Sequence, residues 1–330
     1  YWFGAFISFG IVVIYVATSG VRGAAWSDVF QAILMLVIAW ILGSYFVQKL
    51  HGGIGNMFET INNSNNNFLL IGEEGSYMSK ARYSSNIIIS MIGFVMWPHL
   101  FTKSYTTTEK RIKTTVAVYP IFALFLLPVL FIGFSGYGIV SNDEIENSGQ
   151  ILPYLITNYL TESGLLYGIV GAGALAAAMS SSDAITHGAS VSFGRDICKA
   201  IYSKIPENIE LWIMRGAVFG VGAIAYLIAI FGSEGLIQLL LGAYGPIAQL
   251  APAVYSSLFF RKVNALSIII GLILGVCITI YYQYFADNSL YDIHAGLIGL
   301  TINVIVVFVI SCMYKQRSIE SIKAKEFSEI

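Results

Sequence analysis

Residues 171–183 run Gly-Ala-Gly-Ala-Leu-Ala-Ala-Ala-Met-Ser-Ser-Ser-Asp, ending on Asp183. The stretch joins a stripe of small residues to a polar cluster that closes on a carboxylate. Gly171, Gly173, Ala174, Ala177 and Ala178 let a neighbouring helix come close. At helical spacing Ala177, Ser180, Ser181 and Ala184 share a face. A carbonyl from Ala177 and hydroxyls from Ser180 and Ser181 form a hard-oxygen set suited to a small hard cation. Alternatively, the serines bond back to carbonyls one turn earlier. No Asp, Glu, Lys or Arg occurs from 163 to 182, so Asp183 belongs to a helix at membrane depth. A carboxylate there is paired, protonated or functional.

The rest of the chain makes that reading consistent. Of 330 residues, 56% are hydrophobic and only 11% charged. A soluble domain carries roughly 25% charge, so the surface of a cytoplasmic globular enzyme is not what this composition predicts. The net charge of -1 offers no basic patch for a nucleic acid. Cys198, Cys277 and Cys312 have no metal or redox spacing and read as buried free thiols.

Charge-free runs cover 1–21, 29–48, 83–102, 114–142, 163–182, 216–233, 235–260, 263–286 and 293–314. Each is long enough for a span of about 20 residues. Nine continuous apolar runs predict nine helices rather than alternating barrel strands. The fifth is expected to continue through Asp183 to about Phe193. Alternate loops carry Arg22; Lys103, Lys110, Arg111 and Lys113; Arg195, Lys199 and Lys204; Arg261 and Lys262; then Lys315, Arg317, Lys323 and Lys325. The opposite side receives Lys49, Lys80 and Arg82. The basic side is cytoplasmic, which puts the first residue outside and the C-terminus inside. The chain reads as one transmembrane domain, 1–314, with a cytoplasmic tail, 315–330, and as lacking its beginning. The outer segment 49–82, with Asn62, Asn63, Asn65, Asn66 and Asn67, reads as an irregular loop. The outer segment 141–163 is acidic, and 151–160 reads as a short interfacial helix.

Three further places carry residues that a plain span does not need. Gly93 and Trp97-Pro98-His99 predict either a simple kink or a discontinuous helix. Discontinuous helices expose backbone groups that hold ions and substrates. Gly242-Ala243-Tyr244-Gly245-Pro246, followed by Gln249 and Pro252, predicts a strong bend. Asp28, after Ala24-Ala25-Trp26-Ser27, reads as a helix N-cap that could also reach an ion.

Together these stretches resemble the sodium/solute symporter family. Ala25-Trp26-Ser27-Asp28-Val29-Phe30-Gln31 is similar to its W-T-D-x-x-Q segment. Ala176-Ala177-Ala178-Met179-Ser180-Ser181 is similar to its A-A-x-M-S-[ST] helix. Trp97-Pro98-His99-Leu100 precedes a basic loop as in the family. The resemblance implies an all-α, inverted five-plus-five transporter fold, with the nine runs as core helices four to ten plus two more. It implies Na+-coupled symport of a small organic solute through a lipid bilayer, no enzyme activity, and no obligate protein partner. By the same resemblance Ala177, Ser180 and Ser181 hold sodium. Asp28 and Asp183 form a further cation or coupling site. Phe94, Trp97, Tyr244 and Gln249 line the substrate or gate, and Gly93, Pro98, Gly245 and Pro246 are the helix breaks. A histidine-kinase-type sensory domain, an intramembrane enzyme and an uncoupled channel are the competing readings.

Overall fold

The computed structural model describes residues 2–64, 67–72, 76, 78–104, 107–141, 143–145, 148–160, 164–202, 204–232, 236–260, 263–286 and 290–313. The tail 315–330, Asn65, Asn66, Glu146, Glu162, Arg261 and Lys262 lie outside them. Every described regular element is helical, and each charge-free run contains helix, with interruptions in several of them. Six helical stretches are long and apolar enough to cross a membrane: Ala25–His51, Glu109–Ser135, Gly164–Ile201, Glu207–Phe231, Ala265–Tyr284 and Ala295–Met313. Trp2–Thr18 is a shorter apolar stretch. Large apolar side chains such as Phe6, Val116, Ile121, Leu165 and Phe308 point outward, as a lipid-facing surface requires.

The chain divides into two compact units. The first holds Tyr1–Ser64 and Pro98–Glu234. Its helices are α1 (Trp2–His51), α2 (Ile54–Ser64), α4 (Pro98–Ser104), α5 (Glu109–Phe122), α6 (Leu126–Ser135), α7 (Ile151–Tyr159), α8 (Gly164–Val191), α9 (Lys199–Ile201) and α10 (Glu207–Phe231). The second, Asn65–Trp97 and Gly235–Ile330, holds α3 (Lys80–Phe94), α11 (Leu236–Ala248), α12 (Ala251–Phe259), α13 (Ala265–Tyr284) and α14 (Ala295–Met313).

The first two runs, expected as separate helices, form one unbroken helical path in α1. That path is not straight. Tyr15 reaches Asp183 on α8, and Ile38 packs on Gly173 of the same helix. Straight helix from 15 to 38 would cover roughly 35 Å, whereas 173 to 183 covers about 15 Å. The two apolar stretches of α1 are therefore inclined to one another. Ile38, Leu42 and Phe46 join Ile132, Leu155, Ile156, Leu160 and Val170 in the core of this unit. Val12, Val13 and Val16 make a second cluster with Val218, with Met179 against it.

Two expectations about the outer side and the thiols are corrected. The segment 49–82 is not wholly irregular, because Ile54, Met57, Phe58 and Ile61 repeat at helical spacing. They form α2, which buries Met57 and Ile61. The three cysteines are free, but Cys277 and Cys312 are exposed on apolar helices instead of buried.

Local chemistry sets the other ends. Pro120 lies inside α5, which gives way to a 3-10 turn at Ala123–Phe125 before α6 resumes. Proline removes one helical donor and crowds the preceding turn. The expected helix through Asp183 is α8, which widens into a π-helical stretch at Ser192–Cys198.

In the second unit, α13 and α14 pack through glycine seams. A side chain on Gly275 or Gly299 would collide with Gln249, Asn303 or the facing backbone. Asn264 caps α13 by accepting from Ser267 N at 2.7 Å. Ahead of α14, Tyr291 and Asp292 both adopt left-handed φ, 53° and 57°. Such residues cost on the order of 1 kcal/mol each or more. Arg82 Nε at 3.1 Å and the Ser79 hydroxyl hold the Asp292 carboxylate in that turn.

Candidate ion-binding helix and broken helices

The alanines of α8 are the strongest helix formers, so the helix runs unbroken through the serines. Ser180 Oγ donates to the Ala177 carbonyl at 3.1 Å, and Ser182 Oγ donates to the Ala178 carbonyl at 2.7 Å. The back-bonding alternative thus describes these two serines here. An ion at Ala177 and Ser180 would replace that local bond with two contacts to the cation. Ala177 and Ser181 are exposed and Ser180 half-buried.

Asp183 is 0% exposed, and its Oδ2 accepts from the Tyr15 hydroxyl. The structure thus joins Asp183 to Tyr15, a residue that sequence reading passed over. Its signal was faint: one phenol in an apolar run. Further along, His99 packs its backbone against Gly188 of α8.

The first helix break lies between α3 and α4. α3 closes with Met96 N donating to Gly93 O at 3.0 Å. Pro98 then opens α4 at a position where a missing amide proton costs nothing. The discontinuous alternative therefore holds over the simple kink. Within the second unit, Gly93 is buried against Tyr244, and the Trp97 and Tyr244 rings meet edge to face at 5.9 Å. Phe94 is 38% exposed.

The second break separates α11 from α12 at Gln249 and Leu250. Gln249 N donates to Pro246 O and Leu250 N to Ile247 O, both at 3.1 Å, which tightens the turn. Gly245 approaches the Gly296 backbone. Gln249 is 1% exposed. Its Nε2 is within bonding distance of Gly245 O (3.0 Å), Gly296 O (3.0 Å) and Thr279 Oγ1 (3.2 Å). Asn303 Nδ2 donates to Gln249 O at 2.9 Å. These bonds commit the Gln249 amide to bracing the break. Asn303 and Thr279 were also passed over, although a lone Asn within a charge-free run is the kind of residue that marks such a network.

At the far end of α8, Arg195 Nε and Lys199 Nζ each lie 3.0 Å from a carboxylate oxygen of Glu210 on α10. Glu210 is 4% exposed. Outside the spans, Glu144 accepts from Tyr154 Oη at 2.6 Å and from Ser141 N at 2.9 Å. The Tyr154 bond and then the Ser141 amide hold the Glu144 carboxyl below its usual range. The same bond pushes the Tyr154 phenol up to about 12.

Apolar spans, two interrupted helices and an oxygen-bearing helix with small neighbours define a multi-pass membrane protein built as a transporter. The chain belongs to the sodium:solute symporter family, whose model matches residues 1–275. An uncharacterised symporter of Bacillus subtilis, YhjB, is 29% identical over 96% of this chain and 65% of its own length. The sodium/sialic acid symporter NanT of Aliivibrio fischeri is 24% identical over 92% of this chain and 63% of its own. The chain thus spans less than two thirds of these relatives. A Na+-coupled sialic acid symporter, solved substrate-bound and outward-open, shares the fold with a TM-score of 0.68. It is 21% identical and covers 95% of this chain and 68% of that one.

Proposed function

We propose that this chain supplies the Na+-binding helix and much of the solute pathway of a sodium-coupled symporter for a small organic solute. Nine spans correspond to core helices four to ten of an inverted five-plus-five fold plus two more, entered from outside and left in the cytoplasm. The Ala177 carbonyl and the Ser180 and Ser181 hydroxyls take the sodium ion. Phe94, Trp97 and Tyr244 border the solute and gate region, and Gln249 sets the shape of the neighbouring break.

The observation that carries this reading is the azimuth of α8. Met179 and Asp183 are turned into packing with α1, and Ala177 and Ser181 face outward. The exposed Ala177 and Ser181, with half-buried Ser180 beside them, offer a carbonyl and two hydroxyls on one helix of a sodium:solute symporter family chain, which supports Na+ as the ion taken there. Coupling then follows from linkage: an ion that stabilises the solute-ready state raises solute affinity, and the solute raises ion affinity equally.

The test uses the full-length protein in proteoliposomes. Uptake of labelled sialic acid and of a panel of small organic acids and amino acids is measured under Na+ and K+ gradients. Na+-dependent accumulation is expected, and Ser181→Ala should raise the half-saturating Na+ concentration by roughly tenfold or more. Unchanged Na+ activation in Ser181→Ala would refute the site. Equal uptake in both gradients would refute the coupling.

A further inference from the structure

We propose that Tyr15 is a positioning residue for the sodium helix, acting through Asp183. The proposal deepens the function given above and rests on it for the identity of the ion.

Two neighbouring contacts fix the rotation of α8 at this level. Met179 packs against the Val12, Val13, Val16 and Val218 cluster, and one turn later Asp183 accepts from the Tyr15 hydroxyl. Ala177 and Ser181 are also one turn apart. At 100° per residue the centres of the two pairs lie about 160° apart around the helix. Whatever holds Met179 and Asp183 inward therefore holds Ala177 and Ser181 outward.

The two anchors differ in kind. The methionine contact is apolar and adaptable, tolerant of a shift in helix rotation. The tyrosine bond is directional and involves a carboxyl with 0% exposure. Most of the angular definition thus comes from Tyr15. Gly173 of α8 accepts Ile38 of α1 where a side chain would collide. It brings the two backbones close enough for the phenol to reach α8.

A packing residue with no link to the ion would alter stability and leave the ion midpoint alone. The positioning role predicts a different pattern. The full-length protein is purified and titrated with NaCl against choline chloride at constant ionic strength, with Tm as the readout. Tyr15→Phe removes the hydroxyl and keeps the ring. It should raise the Na+ midpoint on the order of tenfold, the usual effect of one lost charge-assisted hydrogen bond. Asp183→Leu should do the same, and the double variant should shift no further than either alone, because both delete one interaction. Asp183→Asn keeps the acceptor and should stay within about threefold of the parent.

A Tyr15→Phe midpoint within twofold of the parent overturns the proposal. So does an additive double variant, or an Asp183→Asn variant as impaired as Asp183→Leu, which would make Asp183 a direct ligand. A second arm needs no sodium. In a cysteine-free background, Ser181→Cys should label more slowly and Met179→Cys faster when Tyr15→Phe is added. Unchanged rates overturn the proposal even where the parent shows no Na+ response, a result that would itself count only against the sodium reading.

Discussion

Asn303 on α14 donates through one nitrogen to both oxygens of Gln249, the backbone carbonyl at 2.9 Å and the side-chain carbonyl at 3.3 Å. Gln249 sits where helical bonding lapses between α11 and α12. Its own amide reaches across to the carbonyls of Gly245 and Gly296. In a bilayer a broken helix persists only when its freed backbone groups find partners.

That arrangement ranks two substitutions. Gln249→Leu removes the Nε2 donor from Gly245 O, Gly296 O and Thr279, and should destabilise by about 2 kcal/mol. Asn303→Leu removes one donor and should cost about 1 kcal/mol. Unfolding of the purified protein in mixed detergent micelles gives both values. The reverse order would show that the network does not centre on Gln249.

At the other end of α8, Glu210→Gln should lower Tm, because one near-buried carboxylate serves both Arg195 and Lys199. Those two cations are partly solvated, so the loss should shrink as choline chloride is raised. A salt-independent loss would mean that Glu210 acts through packing.

The Glu144–Tyr154 pair predicts acid sensitivity of the segment 141–160. The Glu144 carboxyl is lowered on folding, so its contribution is complete above the unfolded carboxyl value. It fades as pH falls through the lowered one. The Tyr154 phenol is raised to about 12, so its contribution is complete below the ordinary phenol value and fades only as pH climbs through about 12. Proteolysis between 141 and 160 should therefore be slow at neutral pH and accelerate in acid. Tyr154→Phe should move the acid transition upward, and no movement would exclude the bond as its cause.

Helix spacing in the first unit gives a paired prediction. A methyl on Gly43 would lie 2.7 Å from the Pro128 carbonyl, a rigid backbone atom, whereas one on Gly133 meets nothing within 4 Å. Gly43→Ala should cost about 1–3 kcal/mol by forcing α1 from α6. Gly133→Ala should be neutral or stabilise by up to about 1 kcal/mol through helix propensity. Equal effects in thermal unfolding would remove the packing argument.

Much of this was legible along the chain, for a physical reason. Lipid demands a continuous apolar run for each span, so the gaps between charges reported helices directly. Pro98 reported a break, because proline acts on its own backbone wherever it sits, whereas Gly245 and Pro246, expected as a break, lie inside α11 and the interruption falls at Gln249 and Leu250. What stayed hidden depends on partners distant in sequence. Nothing near Asp183 names Tyr15, 168 residues away, and nothing near Gln249 names Asn303. Asparagine richness obscured α2, where Met57 and Ile61 supply the buried face. The unbroken path of α1 was likewise invisible, since a short polar interval such as 19–28 reads equally as a loop or a bent helix.

The π-helical stretch at Ser192–Cys198 adds phase at the C-terminal end of α8. A wide turn lets the helix downstream point its side chains independently of the helix upstream. Selection can then retune Arg195, Lys199 and their acidic partner without twisting the oxygen-bearing turn. The Arg195–Lys199–Glu210 cluster and the serine-bearing turn become separately evolvable parts of one continuous rod.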